Sequence, residues 1–406
     1  MTVKRSSRRK PLNKKRLRRS RRPVHNTATF NALEPRYMLA TVTVGNLLDL
    51  TNGNTSSIAA LTADDGGDGI SLREALDAAN SNPDADLIKF LPSLSGQTIA
   101  LTQGVLPLTS DITIDGDVVG SDDTADITVS GNDTSQVFRV SGVGTDVNFN
   151  ALRITDARST RNGGGIENNG GTITLTNSTI SGNYAGTNGG GIYNEAGAIT
   201  LINSTLSENS TSFRGYGGGI YNRDGSVTLT NSTLSGNTTI RGDGGGIHTY
   251  GGTLTLTNST LSGNTADEGS DGGGISIQNS STVTLINTIV LGNSSENENE
   301  ISGTFLDGGG NIVSGAAHFV FALSNSTTGA GTLANNGGPV QTIALAGRAN
   351  NPALDVGNAP LGVTTDSIGN PRNTDLPGIN NGGTVDAGAV EKQGPIESPS
   401  LIVTTA

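Results

Sequence analysis

The 406-residue sequence predicts an all-β fold: a single-chain, right-handed parallel β-helix, or solenoid, with a short helical cap at its N-terminal end. Three observations predict it. The first is a repeat. Gly triplets begin at Gly163, Gly189, Gly217, Gly244 and Gly272, in steps of 26, 28, 27 and 28 residues, and a period of that size means stacked units rather than separate domains. The second is that the aliphatic residues of each repeat fall into four files. These are Ile166, Ile192, Ile220, Ile247, Ile275; Ile173, Ile199, Val227, Leu254, Val283; Leu175, Leu201, Leu229, Leu256, Leu285; and Ile180, Leu206, Leu234, Leu261, Val290. The second and third files lie two residues apart with Thr between them, and a period of two is the strand signal. The third is composition. Only 3% of residues are aromatic and 59 are Gly, so the core is Ile, Leu and Val set among Thr, Ser and Asn, which suits short strands and tight turns.

Each repeat offers about three short strands, "GGGIYN", "VTLTN" and "STLSGN" in the third copy. Alone they have no partners for their backbone groups. Stacked at about 4.8 Å, every strand pairs with its counterparts above and below, and like residues lie on like. The preference of parallel crossovers sets the right hand. Gly at the triplets permits a positive φ or a close backbone approach. The first Asn file (Asn177, Asn203, Asn231, Asn258, Asn287) suits left-handed turns. A second file six residues on (Asn183, Asn209, Asn237, Asn264, Asn293) can bond along its own length. These columns are architecture. The triplet is not a phosphate loop, because no Lys-Ser/Thr follows it.

In chain order, residues 1–40 form a basic leader. Residues 1–22 hold 12 of the 25 Lys+Arg and no acid, and a run this dense repels itself into disorder. It reads as an address, a tether to an anionic surface or a solvated tail. The apolar stretch of a secretory signal is missing. Residues 41–97 form the N-terminal cap, whose helical segment is Ile70–Phe90. Leu72, Ala75, Leu76 and Ala79 share one helix face, with Ser71 as N-cap and Glu74 as its capping-box partner. Residues 98–325 are the solenoid, irregular up to Ala157. Residues 326–392 form a C-terminal module and 393–406 a tail.

Outside residues 1–22, 13 basic residues face 36 acidic ones, a net of −23. Such a body is a poor partner for nucleic acid. The lack of Cys excludes disulfides and thiolate metal sites. No stretch approaches 18 apolar residues, so no helix spans a membrane.

Chemistry-bearing residues are sparse. The three His are His25, His248 and His318, without metal-type spacing. The column Glu167, Tyr193, Tyr221, His248, Ser276 is predicted to point outward beside the buried Ile file. Tyr193, Tyr221 and His248 are therefore the candidate binding stripe, since outward aromatics suit sugar rings or another protein; the alternative is decoration of a solvated sheet. Between coils lie Asp224, Asp243, Asp267, Asp271, Arg214, Arg223 and Arg241. Asp243 and Asp271 precede successive triplets and are predicted to stack about 5 Å apart, as a calcium site or as solvated loop acids. No catalytic residue is assigned, and calcium is the one cofactor considered.

Several stretches carry family resemblances. "LEPRYML" (Leu33–Leu39) resembles the LEPRxLL motif near the N-termini of planctomycete surface and secreted proteins, with Met38 in place of the usual Leu; this implies export. "ISLREALDAANSNPDADLIKF" resembles the CSLREAI module that precedes bacterial β-helix surface proteins, with Ile70 in place of Cys. "GGGIYN…LTNSTLSGN" resembles right-handed parallel β-helix repeats and those of polymorphic outer-membrane proteins. "NNGGPVQTIAL", "NPALDVGNA", "DSIGNPRN" and "VDAGAVE" within residues 335–391 resemble the choice-of-anchor module of such surface proteins. Together they imply an exported, extracellular or cell-surface β-helix, non-catalytic, for adhesion or binding of glycan or protein. The alternative is a polysaccharide lyase or glycoside hydrolase on a pectate-lyase-like β-helix. An enzyme would show at least three converging acidic or basic side chains in a groove.

Overall fold

The structure, a computed structural model, describes residues 39–393 apart from 298, 316, 349, 358–361 and 373–382. The basic leader, nearly all of the LEPRYML motif and the tail lie outside the described residues. Four parallel sheets build the coils. Sheet A has ten strands, from Ala40–Val44 and Asp86–Phe90 through Thr172–Thr176 to Leu306–Asp307. Sheets B and C have eight each, beginning at Thr98–Ala100 and Leu106–Leu108. Sheet D has six, from Arg158–Ser159 to Ser294–Ser295. The predicted parallel β-helix is thus the observed fold.

Register follows the repeat. Ile192 pairs with Ile220 and Ile220 with Ile247. Ile199, Val227 and Leu254 form the next file, and Leu206, Leu234 and Leu261 another. All join one continuous core that runs from Val42 to Val290. The repeat carries a fourth strand that the aliphatic files do not announce: Tyr184–Ala185, Ser210–Phe213, Thr238–Ile240 and Thr265–Asp267 in sheet D. They occupy the segment whose length varies between copies.

The polar files are scaffold, as their recurrence indicates. The first Asn file adopts left-handed backbone, with φ from 47° to 52° at Asn177, Asn203, Asn231, Asn258 and Asn287. The second is a buried amide ladder: the side-chain amide of Asn183 donates to Asn209, then Asn209 to Asn237, Asn237 to Asn264 and Asn264 to Asn293, at 2.8–2.9 Å. It ends where Asn293 donates to the Glu300 carboxylate at 2.8 Å. Gly217 heads its triplet at φ 67°. A Cβ on Gly190 would lie 2.3 Å from the Gly218 carbonyl oxygen, so coil stacking itself requires glycine there.

The cap corrects the predicted helix boundary. Helix α1 (Ile58–Ala63) was not foreseen, and helix α2 is only Leu72–Asn80. Asp86–Phe90 is a sheet A strand in register with Ala40–Val44, its alternate residues Ile88 and Phe90 in the core. Pro83 explains the break, because the residue before proline avoids helical backbone. The capping box is present: Ser71 Oγ accepts from Glu74 N at 3.1 Å and Glu74 Oε2 from Ser71 N at 2.9 Å. Glu74 Oε1 also accepts from Asn52 N and Gly53 N. Arg73 forms a buried bidentate pair with Asp49, at 2.6 and 3.2 Å, and donates to the Gly104 carbonyl.

The C-terminal segment returns along the outer face of sheet B. Thr205 donates to the Gln341 carbonyl, Ser262 accepts from Gly331 N and Thr260 accepts from Ala389 N. Those outward threonines and serines are consequently buried. A second core gathers Ile289, Leu291, Phe321, Ile343, Leu345 and Leu354. Arg372, with no exposed surface, donates to Asn231 Oδ1 and to the Gly388 carbonyl and pairs with Glu391 at 3.4 Å.

Candidate functional site

Alternation along the sheet C strands turns the residue after each buried Ile outward. Arg139, Glu167, Tyr193, Tyr221, His248 and Ser276 therefore stand in one in-register file. The rings of Tyr193, Tyr221 and His248 stack, with centroids 5.4 and 5.3 Å apart and planes within 1°. The expected open stripe is corrected: Tyr193 is 3%, Tyr221 9% and His248 2% exposed. At this spacing each ring occupies its neighbour's face. Tyr216, from the turn ahead of Gly217, packs against His248 at 4.9 Å. No ring face is left for a sugar.

The same burial fixes their chemistry. Desolvation holds the His248 imidazole neutral, its pKa lowered to about 4, and His248 Nδ1 and the adjoining Ser276 Oγ are buried without a protein partner. The Tyr193 hydroxyl donates to Glu195 Oε2 at 3.1 Å. Burial first, then the Glu195 charge, pushes its pKa up to about 12.

Asp243 and Asp271 meet across neighbouring coils, and they accept hydrogen bonds from one backbone N–H and two side-chain amides. Asp243 Oδ1 accepts from Asp271 N at 2.9 Å and its Oδ2 from Gln278 at 2.8 Å, while Asp271 Oδ1 accepts from Asn297 at 2.6 Å. Asn162 and Asn188 do the same three and two coils before Asp243, accepting from Asn188 N and Tyr216 N. Three of the four carboxylate oxygens thus accept a hydrogen bond. Among the described residues no group of three or more His, Asp or Glu is placed to hold a metal ion. Arg223 pairs with Glu195 at 3.3 Å and lies 3.8 Å from Asp224, all at the surface.

The file-by-file reading missed an exposed patch on sheet D. Phe213 (53% exposed) and Ile240 (41%) pair side by side. The Arg241 and Arg214 guanidinium groups lie over the Phe213 ring, at 4.9 and 5.5 Å, and Asp267 continues the file. Arg241 also pairs with Glu268 at 2.5 Å. Phe213 and Ile240 sit in the segment of variable length, where no fixed offset marks them. Their signal was the departure itself: large apolar residues at a position where the next coil carries Asp267.

No protein-family model matches the chain, and no curated protein matches it. Among solved structures the chain is similar to the crystal structure of pectate lyase Pel9A, at 15% identity, over 87% of this chain and 98% of that one, with a TM-score of 0.37.

Proposed function

We propose that this chain is an exported, extracellular or cell-surface β-helix protein that binds glycan or protein without transforming it. The observation that carries this reading is the Phe213–Ile240 patch. Two large apolar side chains stand open to solvent, with two arginines over the Phe213 ring, on a body of net charge −23. An aromatic ring under guanidinium groups offers both stacking and hydrogen-bond donors to a ligand. The basic leader and the LEPRYML resemblance support export.

A glycan array, extended to polyuronates and run with absorbance monitoring for unsaturated product, tests it. The expected result is retention of at least one ligand without product. Replacing Phe213 and Ile240 by Ser should lower that retention while shifting stability by no more than about 0.5 kcal/mol, as for exposed positions. Reproducible product formation would turn the reading to the lyase or hydrolase alternative.

A further inference from the structure

Four of the 13 basic residues outside residues 1–22 lie between Arg139 and Arg161. Three of them, Arg139, Arg158 and Arg161, line a cleft of about 360 Å³ with Gln136, Ser159 and Thr160. The volume falls in the range of small-ligand sites, and no Asp or Glu lines the cleft. On so acidic a body, this is a local reversal of charge.

The cleft is preorganised. Gln136 is buried, and its amide donates to the carbonyls of Asn162 and Gly163 at 3.1 and 2.5 Å. Its oxygen, so oriented, accepts from Arg139 at 2.9 Å, while Glu167 accepts from Arg139 Nε at 2.8 Å. Arg139 is thereby held in one pose. Arg158 is held by stacking, its guanidinium 4.7 Å from the centre of the Tyr184 ring. Ser159 Oγ accepts from Arg161 N at 3.1 Å and donates to the Asn162 carbonyl at 3.1 Å, which fixes the turn that presents Arg161. Arg158 and Arg161 are both exposed.

We propose that this cleft is a binding site for the anionic group, carboxylate or sulfate, of a charged glycan. The guanidinium fork matches such oxyanions two bonds at a time. Hydroxyl-bearing side chains fill the rest of the lining, apart from Val105, which suits a hydroxylated ring better than an apolar peptide side chain. This deepens the binding reading above and rests on it, while using residues separate from the Phe213–Ile240 patch.

The test is titration calorimetry of the full chain with a uronic-acid hexamer, its methyl ester, a sulfated hexasaccharide and polyglutamate, at two salt concentrations. The expected result is binding of one or both charged sugars, weakened by salt, with neither the ester nor polyglutamate bound. Changing Arg158 and Arg161 together to Gln should weaken it about tenfold or more, from the loss of charge-assisted bonds. Gln136→Leu should weaken it less, by loosening Arg139. Phe213→Ser with Ile240→Ser should leave the anion dependence in place. Which charged sugar binds decides between carboxylate and sulfate. Equal binding of the ester, equal binding of polyglutamate, no binding of either charged sugar, or unchanged affinity in the Arg158/Arg161 variant would each overturn the cleft. If the array still retains a ligand that the Phe213/Ile240 variant loses, the broader binding reading survives that failure. Thermal melts show that each variant is folded.

Discussion

At the residue scale, the two Asn files do different work, although both recur at fixed offsets. The first supplies left-handed corners, with amide bonds running back from Asn287 to Asn203; the second is a buried amide row running the other way, which also donates to backbone carbonyls of the coil before it. Asn177 separates conformation from bonding, because its Oδ1 is buried without a partner while its φ is 52°. Asn177→Gly should therefore leave stability nearly unchanged. Asn177→Ala should cost about 1–2 kcal/mol, the penalty of a side chain in left-handed backbone, as read by urea denaturation. Asn237→Ala is the opposite case. It removes the acceptor for Asn209 N and Nδ2 and the donor to Leu206 O and Asn264 Oδ1, and should cost about 3–5 kcal/mol. His248 gives a pH dependence. Its folded pKa of about 4 lies below the ordinary imidazole value of 6.5, so the unfolded chain takes the proton first. The stability from neutral His248 is complete above pH 6.5 and is lost as pH falls towards 4, by about 3 kcal/mol in all. Because Asp86 and Asp386 are raised by burial to about 6, they oppose this trend. The difference between the wild-type profile and that of His248→Phe isolates the histidine. Sequence spacing identified this file and its outward turn. It did not reveal the burial, which depends on the turn carrying Tyr216.

At the scale of elements, the strands were legible wherever aliphatic residues alternate, and least so in sheet D, whose inward residues are small, such as Ala185, Thr211 and Ala266. The capping box was readable because it is local. The role of Arg73 was not, since its partner Asp49 lies 24 residues away. That pair, together with the bonds from Thr102 N and Gln103 N to Asp49, ties the cap to the first coils. Removing one member of a buried pair strands the other charge. Asp49→Ala should accordingly destabilise by about 3–5 kcal/mol and loosen the cap first, visible as faster hydrogen exchange in α2 and Ala40–Val44 than in the central coils.

For the whole molecule, stacked coils predict modular length. Excising Gly163–Asn188 joins two equivalent triplet positions and lets Phe138 meet Ile192, so the shortened chain should keep its β circular dichroism with a lower melting temperature. Excising 13 residues from the same repeat should abolish cooperative unfolding, because every later file would lose register. The repeat made this architecture legible from sequence. The placement of the C-terminal segment over sheet B was not, because its contacts, such as Arg372 with Asn231, span more than a hundred residues and leave no period.

The second amide row has a direction. Every Nδ2 points toward the C-terminal end, and the last meets Glu300, which also accepts from Gly292 N and Asn293 N. Aligned dipoles leave a partial positive charge at that end, and a carboxylate there closes it as an acid closes a helix start. Glu300 thus works as a full stop. Copies can be gained or lost before it, but growth past it would bury an anion mid-row. The upper limit on length is therefore written in one side chain.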